Sequence, residues 1–347
     1  DNLCCLKAAE FTVKIDIADN GGGTNAAQAF TGFQLSNVEV VSAGINDATG
    51  TDIDATALNA DLYLTAATTN RDVTVNKVGT QVVTVVNNSA ATLELGDVAV
   101  NLADGTGLAD SMSVSLVAAT NADQTLDLLT VDANAETANI AVSGATGTGK
   151  ELTLTSLIAD GAKTINITGS GNLITQLNET GTNATTLIDA STATGVLAIT
   201  ENVGNKITIK GSQGQNTINM GTGLLNTDTI IGGASAKDTV TATVGTAQTA
   251  TTGKLNLTDV ETLSLTHTSG QSATIDLTSS TGVAAIAVTG SGANSTGTLT
   301  LKGLANGTTV ATQDTNSFDG TLALALADAT GTADSLTLSV TRATSSD

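Results

Sequence analysis

The segment Thr164-Ile-Asn-Ile-Thr-Gly-Ser-Gly171 alternates β-branched apolar and polar residues and then stops at a Gly-Ser-Gly turn. A period of two places Ile165 and Ile167 on one face, and β-branched side chains suit an extended backbone. The same design recurs along the chain. Phe11-Thr-Val-Lys-Ile15, Asp72-Val-Thr-Val75, Gln81-Val-Val-Thr-Val-Val86 and Met112-Ser-Val-Ser-Leu116 carry it in the first half. Lys206-Ile-Thr-Ile-Lys210, Thr239-Val-Thr-Ala-Thr-Val244, Thr298-Leu-Thr-Leu301 and Leu336-Thr-Leu-Ser-Val340 carry it in the second. Such runs return about every 8–12 residues, separated by Gly, Asn, Asp and Ser, which is the spacing of an all-β sandwich or solenoid. Only Leu3–Ala9, Asn25–Phe30 and Ala55–Ala60 have the composition for a helical turn or two.

Composition narrows the choice. The 347 residues hold 33 acidic and 12 basic side chains, a net charge of −21, with no Pro, no Trp, one His, one Tyr and four Phe. Thr alone supplies roughly a fifth of the chain. A hydrophobic share of 40% is too high for a disordered acidic tail. Because the apolar residues are mostly Ala, Val, Leu and Ile, the interior must be thin and filled by small side chains. The expected fold is therefore all-β: an elongated, β-solenoid or β-roll-like stack of short strands, divided into serial β-rich modules. The expected divisions are an N-terminal segment 1–60, a repeat module 61–200 and a second module 201–347, with a weak boundary at Glu201-Asn-Val-Gly-Asn205.

The charge excludes several partners. A phosphate backbone needs clustered Lys and Arg, and this chain has none, so neither nucleic acid nor a bare anionic membrane fits. No segment has the length and apolarity of a membrane span, so membrane insertion is not expected. Acidic secreted proteins that meet millimolar calcium outside the cell are the better match. Cys4 and Cys5 are adjacent, which disfavours an intrachain staple. They read as reduced terminal thiols or as a bridge between subunits. The start at Asp1 reads as that of a mature or trimmed product.

Two internal repeats stand out. Leu102-Ala-Asp-Gly-Thr-Gly-Leu-Ala-Asp-Ser-Met-Ser-Val-Ser-Leu116 matches Leu326-Ala-Asp-Ala-Thr-Gly-Thr-Ala-Asp-Ser-Leu-Thr-Leu-Ser-Val340. Thr164–Gly171 matches Ala285-Ile-Ala-Val-Thr-Gly-Ser-Gly292. In the first pair, Asp104 and Asp110 flank one turn, and Asp328 and Asp334 flank its copy. Two carboxylates brought to ~4 Å repel by about 4 kcal/mol at an effective dielectric near 20. Such a turn either closes on a divalent ion or keeps its carboxylates apart as caps on backbone amides.

Catalysis lacks its usual inventory. His267 ends the alternating run Thr262-Leu-Ser-Leu-Thr-His267, in phase with Leu263 and Leu265, and reads as a structural residue. Gly144-Ala-Thr-Gly-Thr-Gly-Lys150 has the start of a phosphate-binding loop, but Glu151 and the alternating Leu152-Thr-Leu-Thr155 follow it instead of a helix. It reads as a surface turn, and the chain as no enzyme.

Calcium is the one chemistry that the residue pattern favours. A nonapeptide calcium turn runs Gly-Gly-x-Gly-x-Asp-x-apolar-x, its carbonyls and carboxylate serving as ligands. Gly211-Ser-Gln-Gly-Gln-Asn-Thr-Ile218 keeps that spacing, with Ser212 for the second Gly and Asn216 for Asp. Gly221–Ile230 places Asp228 before its strand, and Gly232-Gly-Ala-Ser-Ala-Lys-Asp-Thr-Val240 places Asp238 one residue late. Asn216, Asp228 and Asp238 read either as metal ligands or as turn residues only.

These Gly-rich turns, the strand–turn Thr164–Gly171, Leu187-Ile-Asp-Ala-Ser-Thr-Ala-Thr-Gly195 and Asp259-Val-Glu-Thr-Leu-Ser-Leu265 together resemble the calcium-dependent, RTX-type surface-layer proteins of Gram-negative bacteria. The resemblance covers roughly residues 60–347. It implies a secreted, cell-surface structural protein that binds calcium in β-solenoid turns and self-associates into a lattice, with cell-surface polysaccharide as an attachment partner. The competing expectation is a subunit of an extracellular fibre or adhesin built from the same strands. A Thr-rich ice-binding solenoid fits less well, because the Thr-x-Thr pairs are irregularly spaced in the sequence.

Overall fold

The computed structural model describes residues 38–45, 50–56, 58, 60–66, 71–87, 95–119, 122–179, 185–201, 204–245, 248, 253–291, 296–313 and 320–341, with the backbone of 12–17 and 28–29. Every named element is a β-strand, and neighbouring strands pair in parallel. This is a β-solenoid, as the alternation and its spacing predict. Two compact units divide the chain: Asp1–Thr175 with Glu179–Asn183, and Gln176–Asn178 with Ala184–Asp347.

In the first unit, successive strands alternate between two columns. One column holds β1 (Thr12–Ile17), β3 (Val40–Ile45), β5 (Asp61–Ala66), β7 (Val83–Asn87), β9 (Ser111–Ala118), β11 (Thr137–Ser143) and β13 (Thr164–Gly169). The other holds β2 (Gln28–Ala29), β4 (Thr51–Asp54), β6 (Arg71–Val78), β8 (Leu95–Leu102), β10 (Gln124–Val131), β12 (Leu152–Ile158) and β14 (Leu173–Leu177), which begins in this unit.

The second unit continues the plan with β15 (Leu187–Asp189), β17 (Thr208–Lys210), β19 (Thr229–Ile231) and β21 (Asn256–Thr258) in one column. Facing them are β16 (Leu197–Thr200), β18 (Asn216–Asn219), β20 (Thr239–Val244), β22 (Thr262–His267), β24 (Ala285–Gly290), β26 (Thr309–Gln313) and β28 (Thr337–Thr341). A separate column of β23 (Gln271–Asp276), β25 (Gly297–Leu304) and β27 (Thr321–Leu326) joins them. The coil repeat varies from 19 residues, where Leu197 pairs with Asn216, to 31, where Val83 pairs with Val114. The corners absorb most of that variation, and bulges between Arg71 and Val78 and between Lys302 and Leu304 shift the register locally.

Stacking puts like on like. Met112, Ala138 and Ile165 lie in register, as do Val114, Ile140 and Ile167, and all six are buried. Neighbouring strands sit ~4.8 Å apart, so each apolar residue meets its counterpart one coil away. Burial of each Leu, Ile or Val side chain stabilises by roughly 1.5–3 kcal/mol. Outward positions carry polar ladders instead: Asn166 donates to Asn139 Oδ1 at 2.9 Å, and Asn101 to Asn76 Oδ1 at 2.8 Å.

His267 takes an inward position at the end of β22 and is fully buried, and burial pushes its pKa down towards the neutral form. The Gly144–Lys150 run is a corner that Asn172 clamps through its side-chain NH2 to Gly147 O and Lys150 O, and it feeds strand β12. Of the three short helical candidates, Ala55–Ala60 shows one hydrogen bond, Leu58 N to Ala55 O at 3.0 Å, with Ala57 and Asn59 outside the described residues. Gln28 and Ala29 form β2, and the rest of Asn25–Phe30 and all of Leu3–Ala9 lie outside the described residues.

Gly169 shows what the stacking demands of a corner. Its φ is 99°, and a Cβ there would lie 2.1 Å from the Val142 carbonyl one coil away. Gly169→Ala should cost at least about 1–2 kcal/mol from the left-handed backbone alone, read as a lower urea midpoint for the first unit.

Candidate functional site

Main-chain amides in a strand are satisfied by the neighbouring coil, whereas those at a corner need another acceptor. In this chain the acceptor is repeatedly a carboxylate, in two arrangements.

The first is local. Asp104 Oδ1 accepts from Thr106 N at 3.1 Å and Thr106 Oγ1 at 2.7 Å, and Asp328 Oδ1 accepts from Thr330 N at 2.9 Å and Thr330 Oγ1 at 2.6 Å. These hydroxyl and amide bonds hold both exposed carboxyls below the usual range. Asp54, Asp189 and Asp276 cap Thr56, Ser191 and Thr278 in the same way. Each of these three also meets a lysine of the next coil: Lys77 at 2.6 Å, Lys210 at 2.7 Å and Lys302 at 3.1 Å. Lys77 and then Thr56 lower the Asp54 pKa to about 2.

The second arrangement staples one coil to the next. Asp238 N donates to Glu261 Oε2 at 2.8 Å, Asn216 N donates to Asp238 Oδ1 at 2.7 Å, and Asp110 N donates to Glu136 Oε2 at 2.8 Å. Register explains the chain of bonds. Thr217, Thr239 and Thr262 pair in succession, so Asn216, Asp238 and Glu261 stack immediately before them. Ser111 and Thr137 place Asp110 and Glu136 likewise.

The seven residues expected as ligands fall into separate places. Asp104 and Asp110 each close their own part of one turn, Asp110 through Oδ2 to Gly107 N at 2.9 Å. The copy is built alike, with Asp334 folded over Gly331, where a Cβ would lie 2.8 Å from Oδ1. Asp228 precedes β19 in the other strand column and is fully buried, with Oδ1 accepting from Ile207 N at 3.1 Å and Oδ2 from Leu225 N at 2.7 Å. Only Asn216 and Asp238 meet.

Their meeting place is the corner between β17 and β18. Asn216 is fully buried and Asp238 almost so. Asn216 Oδ1 accepts from Ser212 N at 2.8 Å, which fixes the orientation of the amide. Its Nδ2 then faces Gly232 O at 2.5 Å, Gly214 O at 2.8 Å, and Ser212 O and Asp238 Oδ1 at 3.0 Å each. Asp238 Oδ2 is buried and has no hydrogen-bond partner among the described residues. Burial raises the Asp238 pKa, against the two Asn216 hydrogen bonds and with help from Glu261 and Asp259.

Calcium takes six to eight oxygens at ~2.3–2.6 Å. Among the described residues no three His, Cys, Asp or Glu side chains gather to hold a metal. The carboxylates of Asp104, Asp110, Asp228 and Asp328 are committed to protons of main-chain amides.

Glu136 and Glu261 are corner acceptors that lie outside the Gly-rich turn pattern. A signal was present: an acid stands immediately before Ser or Thr at the start of a strand in Asp110-Ser111, Glu136-Thr137, Asp228-Thr229, Asp238-Thr239 and Glu261-Thr262.

No family model, curated protein or solved structure matches this chain.

Asp228 yields a pH test. Its desolvated carboxyl is pushed up to about 6, against the two amides that it accepts. Between about pH 4 and 6 the folded chain therefore keeps a proton that the unfolded chain releases near pH 4. This contribution is complete below pH 4 and is lost as pH rises through 6. Asp228→Asn should flatten the fall in stability of the second unit across that window, seen as a smaller change in melting temperature between pH 4.5 and 7.

Proposed function

We propose that the chain is an extracellular structural protein that self-assembles into a bacterial surface layer, as its motif resemblance to RTX-type surface-layer proteins suggests. The observation that carries this reading is the edge formed by β28. All five residues of β28 are exposed, Leu338 by 52% and Val340 by 67%, and the strand pairs only with β26 among the described residues. Among the described residues its outer edge carries no further strand, and an open parallel edge with an apolar row is a template for adding another strand.

The remaining surface supports a role in contacts more than in chemistry. A cavity of about 10 Å³ lined by Leu277, Val283, Ile286 and Leu304 has room for one water. The open recess of about 340 Å³ at Glu39, Asp61 and Gln81 is lined without an aromatic or cationic side chain. Charge sets the condition for assembly. Chains at −21 repel one another, and divalent calcium screens the acidic faces where they meet. In this reading calcium acts between chains, not inside the corners.

Purified chain should form sheets under negative stain in millimolar calcium and stay dispersed in EGTA. Leu338→Lys with Val340→Lys should stay dispersed in both. Assembly of the double variant as readily as the parent would overturn the edge. Equal assembly of the parent in EGTA would remove calcium from the account, and fibres in place of sheets would replace the layer with a fibre.

A further inference from the structure

The corner at Asn216 has an unusual balance of donors and acceptors. Four oxygens converge on one nitrogen: the carbonyls of Ser212, Gly214 and Gly232, and Oδ1 of Asp238, all at 2.5–3.0 Å. A primary amide has two protons to share among them. A fifth oxygen, Asp238 Oδ2, is buried in the same corner without a partner among the described residues. Such a set of oxygens around one point is what a hard cation collects.

The backbone is shaped to let the oxygens approach. A Cβ on Gly211 would lie 2.7 Å from Asn216 Cγ, one on Gly214 would lie 2.5 Å from the Gly195 carbonyl, and one on Gly232 would lie 2.7 Å from Asp238 Oδ2. Gly233 has a φ of 118°, and a Cβ there would lie 2.1 Å from the Ser212 carbonyl. Ser212 is held in turn through its hydroxyl, which donates to Gly195 O at 2.6 Å. Three successive corners thus close around the Asn216 carboxamide, whose orientation Ser212 N fixes.

We propose that the Asn216 carboxamide takes the place of a bound cation in this corner, so that the 211–238 junction orders without metal, and that a carboxylate at this position converts it into a divalent-cation site. The chemistry of the exchange is simple. Asn216→Asp replaces the two shared protons with an oxygen that points at four others, and it places a second buried negative charge beside Asp238. Among the described residues the corner offers no cation to the pair, so without metal it must take up a proton. A divalent ion can neutralise it instead, because the introduced carboxylate, Asp238 and the three carbonyls supply five oxygens, and water completes a shell of six or more.

The proposal is independent of how chains assemble, and a local measurement tests it. Hydrogen exchange of segment 207–221 is followed in the full chain, kept dispersed at low concentration, in EGTA and in millimolar calcium. In the parent, protection of this segment should be equal in both. In Asn216→Asp it should fall roughly ten- to hundred-fold in EGTA, the loss expected when hydrogen bonds to a charged group disappear. Calcium should restore it with a midpoint of ~10⁻⁴–10⁻³ M. Asn216→Ala removes the protons without adding charge, and should lose protection in both conditions with less rescue. Three results would overturn the proposal: chelator-sensitive protection of this segment in the parent, a calcium-indifferent Asn216→Asp, or an Asn216→Asp that calcium fails to restore.

Discussion

A parallel coil can stack indefinitely through its strands, but each corner leaves main-chain amides that no strand pairs, and those amides must find acceptors before the coil can close. This chain supplies them with side-chain oxygens that reach across the corner or to the adjacent coil. Asp238 accepts the amide of Asn216, Glu261 accepts that of Asp238, and Glu136 accepts that of Asp110. A hydrogen bond to a charged acceptor contributes about 1.5–3 kcal/mol, roughly twice a neutral one. Corner chemistry and strand register therefore support each other. The acid can reach its amide only while the strands behind it stay aligned.

That division of labour accounts for much of the acidity. A protein with 33 acids and 12 bases carries an excess that self-repulsion opposes, so a compensating use for each carboxylate matters. Some are capped locally and paired with a lysine of the next coil, as at Asp54, Asp189 and Asp276. Others sit buried on amides alone, as at Asp228. The two kinds respond to pH in opposite directions. The Lys-paired carboxyl of Asp54 loses its contribution only as pH falls towards about 2, whereas the buried Asp228 is relieved by acid.

The same acceptors bear on the calcium reading. A corner that gathers carbonyls and a carboxylate has the makings of a cation site, and Gly at 211, 214 and 232 lets the oxygens converge. At Asn216 the chain answers that convergence with its own two protons. Elsewhere the expected ligands are spread over separate turns, where Asp104, Asp110, Asp228 and Asp328 accept main-chain amides.

Strand type, period and thin interior were legible in the sequence because each depends on nearest neighbours. The alternation of Ile165 with Ile167, or of Leu263 with Leu265, dictates which residues turn inward, and Gly-rich intervals mark where the coil bends. The inward place of His267 followed from the same phase. The partners of the coil-to-coil acids were not legible, because each such acid and its amide are about 20–30 residues apart and meet only after the coils stack in one particular register. Asn216 and Asp238 are 22 positions apart, yet they share a hydrogen bond. Asp104 and Asp110 are six apart, yet they serve different amides. Spacing along the chain told which residues line a corner. Only the tertiary register, which sets how one coil lies on the next, decided that those oxygens hold protons of the main chain and of Asn216.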